Sequence, residues 1–170
     1  MSTAQAKANT QNMVQMAKEI GLDYQMDTLI LTNTFDAHRL TMFAKKQGLM
    51  KEMTERILRA YFTESKHIGN HETLTDLAIE VGLNREEVVQ MLGSDEMADA
   101  VRADEQAAQQ YGVTGVPFYL INKKYALTGA QPTEVFVQAL EKIIAEDGIT
   151  VLNNQDGASC DDDGCEIPKK

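Results

Sequence analysis

Apolar residues recur at helical spacing through most of the first 111 positions and change to a continuous, strand-like run only after Gly112. Met13, Val14, Ala17 and Ile20 form one stripe that stops at Gly21, a residue suited to closing a helix. Leu22 to Leu31 alternates imperfectly, which predicts an extended segment or a strand. Asp36 then lies near the start of a helix carrying Leu40, Phe43 and Ala44 and ending near Gly48. Met53, Ile57, Leu58, Tyr61 and Phe62 make the face of the next helix, and Leu74, Leu77, Ala78 and Val81 that of another before Gly82. Asn84 followed by Glu87 has capping-box spacing and opens a short helix with Val88, Val89 and Leu92. Ser94 is expected to cap one more helix, with Met97, Val101, Ala108 and Tyr111 leading to Gly112.

Beyond Gly112 the pattern changes. Pro117 opens the apolar run Phe118 to Ile121, Asn122-Lys123-Lys124 interrupts it, and Tyr125 to Thr128 reads as a second strand, making a hairpin. Pro132 sits where a first-turn proline is tolerated, ahead of a helix whose apolar face is Val135, Phe136, Ala139, Leu140, Ile143 and Ile144. A proline at the head of a strand belongs at an edge or beside a site, and the X-Pro bond is the one at which cis costs little. Val116-Pro117 therefore reads either as a cis bond or as an ordinary strand-initiating proline.

Length and a hydrophobic fraction of 43% over 170 residues fit one domain able to build a core. A formal net charge of -10 argues against nucleic acid as a partner, because that binding depends on Lys and Arg neutralising phosphates. No stretch reads as a membrane span, and Met1-Ser-Thr-Ala-Gln-Ala-Lys7 lacks the apolar core of a secretory signal, so a cytoplasmic location is expected. The nine methionines, most of them at helical spacing, read as core filler or as an adaptable peptide-binding surface.

The two cysteines, Cys160 and Cys165, are separated by Asp161-Asp162-Asp163-Gly164. A tight turn there would bring them to the spacing a disulfide requires. Three readings stand: a redox-active pair, an inert tail pair, or zinc held with carboxylates or a remote histidine. No second Cys-x-x-Cys or paired-histidine motif supports the metal, and none is expected. The neighbouring aspartates work against thiolate formation by adding like charge. His38, flanked by Asp36 and Arg39, reads as a proton or substrate contact or as a helix-surface residue. His67 and His71 are four apart, but Gly69 and Asn70 between them should break a helix, so the spacing implies no shared metal.

The order helix, Thr114-Gly115-Val116-Pro117-Phe118, hairpin, helix resembles the C-terminal half of a thioredoxin fold of the DsbA type. Asn33-Thr34-Phe35-Asp36-Ala37-His38-Arg39-Leu40 extends the likeness to the FrnE-like branch, which is related to 2-hydroxychromene-2-carboxylate isomerases and kappa-class glutathione transferases. The resemblance implies an α/β, thioredoxin-like fold, mostly helical, with an inserted helical domain. Family members carry a Cys-x-x-Cys at a helix start near their N-terminus, where the helix dipole favours thiolate. This sequence has no such motif, and the strand-helix-strand unit that would carry it is expected to be missing.

The expected organisation is a helix and extended segment over 1–35, an inserted helical subdomain over 36–94, the C-terminal half of the thioredoxin-like domain over 95–148, and an acidic tail over 149–170 with the Cys-x4-Cys pair. The resemblance implies thiol-disulfide oxidoreduction on protein or small-molecule thiols and disulfides. Val116 and Pro117 would bind substrate, and Cys160 and Cys165 would act as an accessory redox pair. No cofactor is implied, except that glutathione could serve as substrate or co-substrate near Gly129, Ala130 and Gln131, where Gln131 lacks the acidic or hydroxyl character usual in glutathione-binding relatives. The runner-up functions are a glutathione-dependent isomerase and a noncatalytic scaffold. A lone hairpin is marginal, so exposed apolar surface and a homodimer or strand exchange are expected.

Overall fold

The computed structural model describes residues 2–147 and the backbone of residues 160–161 and 164–165; the rest of the acidic tail lies outside the described residues. The chain divides into two compact units at Tyr111/Gly112.

The first unit is helical: α1 (Thr3–Glu19), α2 (Phe35–Lys45), α3 (Met50–Phe62), α4 (His71–Glu80), α5 (Arg85–Leu92) and α6 (Ala98–Gln110). Its core is built around α2, which packs against α3, α4, α5 and α6. Leu40, Met53, Leu74, Leu77, Val88 and Met91 are fully buried there. Ala44, Ala60 and Ala78, also at 0% exposure, keep the helix axes close, since interaxial distance follows side-chain size at the contact. Each large side chain in that set contributes roughly 1.5–3 kcal/mol by leaving water. The methionines divide: Met53 and Met91 are core, while Met13 and Met16 are exposed on α1.

Local signals set most helix starts. Asn70 accepts from the Thr73 N–H at 2.9 Å and Asn84 from the Glu87 N–H at 3.1 Å, each satisfying an amide that the helix cannot. Two expectations need correction. Leu22 to Leu31 forms no strand; it is an irregular strap fastened to the α3–α4 region. The Gln25 N–H donates to the Phe62 carbonyl at 2.7 Å, the hydroxyls of Thr28 and Ser65 meet, and Thr32 Oγ1 lies 2.9 Å from His67 Nε2. These contacts, one through the main chain and two through side chains, hold the segment as a strap, and among the described residues it pairs with no strand. Ser94 likewise does not cap α6: its hydroxyl accepts from the Glu96 N–H in a turn, and the N-cap is Met97 in a left-handed conformation (φ 65°). By packing on α2, α6 belongs with the helical unit rather than with the segment that follows it.

Arg56 ties α3 to α4 and to the segment between them, donating to Glu80 at 2.6 Å and to Glu64 at 2.9 Å. Both carboxyls lie below their ordinary range, chiefly because Arg56 hydrogen-bonds their charged forms.

The second unit contains β1 (Phe118–Ile121), β2 (Tyr125–Thr128) and α7 (Thr133–Asp147). The strands are antiparallel, with Phe118 opposite Thr128 and Ile121 opposite Tyr125. Three residues, Asn122 to Lys124, connect the paired strands; Asn122 (φ 53°) and Lys123 (φ 55°) are the central pair of a β-turn closed by the Lys124 N–H donating to the Ile121 carbonyl at 3.1 Å, and positive φ at both central positions marks type I′. Tyr119 meets Phe136 edge-on at 4.8 Å, placing one hairpin face against α7. At the turn end, the Tyr125 hydroxyl donates to Glu146 and Asp147, and Lys124 lies 2.8 Å from Asp147. Leu120, Val137, Leu140 and Ile144 remain exposed. Beyond this motif, β3 (Cys160–Asp161) and β4 (Gly164–Cys165) pair antiparallel with each other.

Candidate functional site

The open end of the hairpin brings together five of the sequence-selected residues. The Gly129 N–H donates to the Pro117 carbonyl at 2.8 Å, fastening the Val116–Pro117 corner to the Gly129–Gln131 corner. Gly129 has φ 77°, a conformation that a side chain would strain, so glycine is required where β2 turns toward α7. The Val116–Pro117 peptide bond is cis. The Val116 side chain is 89% exposed, and its N–H and C=O have no hydrogen-bond partner among the described residues. A main-chain donor and acceptor thus stand open beside the start of β1. Gln131 is engaged within its own corner, donating from Nε2 to the Thr128 carbonyl at 2.8 Å. Ala130 is exposed.

The remaining candidates lie elsewhere in the chain. His38 belongs to the helical unit, on the exposed side of α2. Its neighbours carry the interactions instead. Arg39, only 4% exposed, donates to the carbonyls of Met91 (2.7 Å), Ser94 and Glu96 (2.9 Å), and to Asp36 Oδ1 at 2.8 Å. It thereby fastens α2 to the last turn of α5 and to the turn that leads from α5 to α6. Asp36 is also 2.8 Å from His71 Nε2. Burial pushes the Asp36 carboxyl up, but the hydrogen bonds from Arg39 and His71 and their charge outweigh it and hold the group below its usual range. The sequence signal for this cluster was Asp36 three residues before Arg39 on one helix, a spacing that puts both on one face. Nothing local revealed that Arg39 would be buried. His67 and His71 take separate partners, Thr32 and Asp36, and among the described residues no group of three His, Cys, Asp or Glu could hold a metal.

Cys160 and Cys165 are opposite each other in the β3–β4 register. Directly opposed residues of an antiparallel pair have Cα atoms about 4.5–5.5 Å apart. That overlaps the spacing a disulfide spans. Their side chains lie outside the described residues.

Comparison with known proteins follows the same outline. Residues 1–141 match the DSBA-like thioredoxin domain family. The Bacillus subtilis protein YwbO is 32% identical over 99 residues, which make up 58% of this chain and 49% of YwbO, so the chain spans about half the length of that curated relative. The crystal structure of a probable DsbA oxidoreductase from Streptomyces coelicolor superposes with a TM-score of 0.78 at 38% identity, covering 99% of this chain and 72% of that one. A structure from Nitrosomonas europaea, described as a candidate protein disulfide isomerase, shares the fold with a TM-score of 0.65 at 18% identity, covering 87% of this chain and 78% of that one. No helix among the described residues is long and apolar enough to cross a membrane.

Proposed function

The chain belongs to the DsbA-like thioredoxin-domain family and has that fold in a mostly helical form, and from this premise we propose that it is a thiol–disulfide oxidoreductase acting on protein or small-thiol disulfides. The observation that carries the reading is the register placing Cys160, one of only two cysteines, directly opposite Cys165, the other. In the reducing direction, a thiolate of the pair attacks the substrate disulfide, forming a mixed disulfide and releasing one substrate thiol. The second thiol then attacks the mixed bond, closing Cys160–Cys165 and releasing the other substrate thiol. Two electrons and two protons pass from the pair to the substrate, and an external dithiol returns the pair to its reduced form. In the oxidising direction the same steps run in reverse.

The open N–H and C=O of Val116 serve this chemistry by pairing with an extended substrate through its main chain, a mode that needs no particular side chain. Pro117 and the Gly129–Gln131 corner form the wall of that position. Asn33 to Leu40 favours the FrnE-like branch.

Insulin reduction by dithiothreitol, with the reductant alone as background, tests the proposal. Wild type is expected to accelerate the reaction, and Cys160→Ser/Cys165→Ser to return it to background. Acceleration that survives the double substitution, or a wild type that does not exceed background, overturns it.

A further inference from the structure

The helical unit contains an open groove of roughly 390 Å³ between the chain that leaves α1 and the outer side of α3. Its apolar lining comes from Leu22 and Leu58, 43% and 47% exposed, and from Tyr24 and Phe62, whose rings stack at 5.0 Å. Ile20, next to the groove in sequence at the end of α1, is 76% exposed. These side chains add to an apolar surface that the unit's own core does not use.

The charges of the groove are asymmetric. Asp23 and Glu55 line it, and neither carboxylate has an ion-pair or hydrogen-bond partner among the described residues. Arg59 also lines it, 3.4 Å from a Glu64 carboxylate that Arg56 at 2.9 Å and Lys66 at 3.3 Å share, so the lining keeps one cation against two carboxylates and is net negative. Two carboxylates without partners, against one arginine, beside two aromatic rings still favour a cation: the excess carboxylate by charge and the ring faces by their quadrupole. The net charge of -10 adds a long-range field of the same sign.

We propose that this groove is a docking site for a basic amphipathic segment of a partner protein, with apolar side chains against Leu22, Leu58, Tyr24 and Phe62 and a flanking Lys or Arg between Asp23 and Glu55. The site uses none of the residues of the Val116–Pro117 corner or of the cysteine pair, and it does not depend on the redox reading.

The test uses the full chain and two labelled 14-residue amphipathic peptides, one of Leu and Lys and the other of Leu and Glu, followed by fluorescence anisotropy. The Leu/Lys peptide is expected to bind and the Leu/Glu peptide to bind at least tenfold more weakly. Asp23→Asn/Glu55→Gln should weaken the Leu/Lys peptide roughly three- to tenfold, the effect of losing two partly exposed ion pairs. Leu58→Ser should weaken it about tenfold or more by removing apolar contact. Because Leu58 is half exposed, that variant should keep its fold, and an unchanged circular dichroism melt checks this. Asp99→Asn/Asp104→Asn removes the same charge from α6 and should leave binding within about twofold.

Amide shifts on titration should fall on residues 20–24 and 55–63. The proposal is overturned if the Leu/Lys peptide fails to bind at millimolar concentration, if the α6 pair weakens it as much as the groove pair, or if the shifts map elsewhere. It is also overturned if the groove amides shift with protein concentration alone, since a second copy would then be the occupant.

Discussion

At the residue scale, Arg39 has the most consequential placement. One guanidinium serves three carbonyls and one carboxylate, a geometry that a planar fork of donors can meet and a single ammonium cannot. Arg39→Ala removes the bonds that hold α2 to the Met91, Ser94 and Glu96 carbonyls and is expected to cost about 1.5–3 kcal/mol, with Arg39→Lys recovering only part, both read from urea denaturation. Acid sensitivity has its source at the same scale. Asp36 is held low by Arg39 and His71 against the opposing effect of burial, and Glu64 and Glu80 by hydrogen bonds from Arg56. A carboxyl depressed in the folded state contributes stability that is present above its unfolded pKa, near 4, and is lost as pH falls through its folded pKa. The urea midpoint should therefore hold near neutral pH and drop below about pH 4, with a smaller drop in Arg56→Met, where the Glu64 and Glu80 contributions are already gone.

At the element scale, two backbone features decide how segments meet. A Cβ on Gly69 would fall 2.1 Å from Thr32 Oγ1 and 3.2 Å from the Asn33 carbonyl, so the strap can lie against the α3–α4 loop only because residue 69 has no side chain. Gly69→Ala should lower stability by about 1–3 kcal/mol through overpacking. Thr32→Ala in the same chain should restore part of that, because it removes the nearer clash at the cost of the bond to His67. Thermal melts of both variants and of Thr32→Ala alone close the cycle. The hairpin turn carries the opposite opportunity. Lys123 occupies the second central position of a type I′ turn at φ 55°, where glycine is preferred, so Lys123→Gly should raise stability by a few tenths to about 1 kcal/mol. The direction of the shift in melting temperature checks it.

At the scale of the whole molecule, the two units differ in how much core each contains. The buried cluster from Ala37 to Leu92 lies wholly within the helical unit, whereas Ile143 is the buried apolar residue that α7 supplies. Cleavage with chymotrypsin after exposed Tyr111 should therefore leave a 1–111 fragment with a cooperative thermal transition, while the hairpin portion loses its structure, since two strands rarely stand alone. A fragment that unfolds without cooperativity would refute this.

Much of this protein was determined by the sequence alone, because helices, caps and short hairpins are built from contacts a few residues apart. Asn70 and Asn84 capping their helices, Gly112 closing the helical region, and the strands on either side of Asn122-Lys123 are all local events. The family could be read from the sequence for a related reason: the Thr114–Phe118 and Asn33–Leu40 segments are short and contiguous. What the tertiary structure decided lies between segments distant in the chain. The burial of Arg39 under the α5–α6 turn depends on carbonyls more than fifty residues away, and the conversion of Leu22 to Leu31 from a candidate strand into a strap depends on hydroxyls and carbonyls from residues 62–69. Likewise, Met97 could be placed outside its helix only once α5 and α6 were set against α2. Hydrophobic spacing specifies which face of a segment is apolar, but the partners that satisfy a buried polar group are chosen by packing, which no local pattern records.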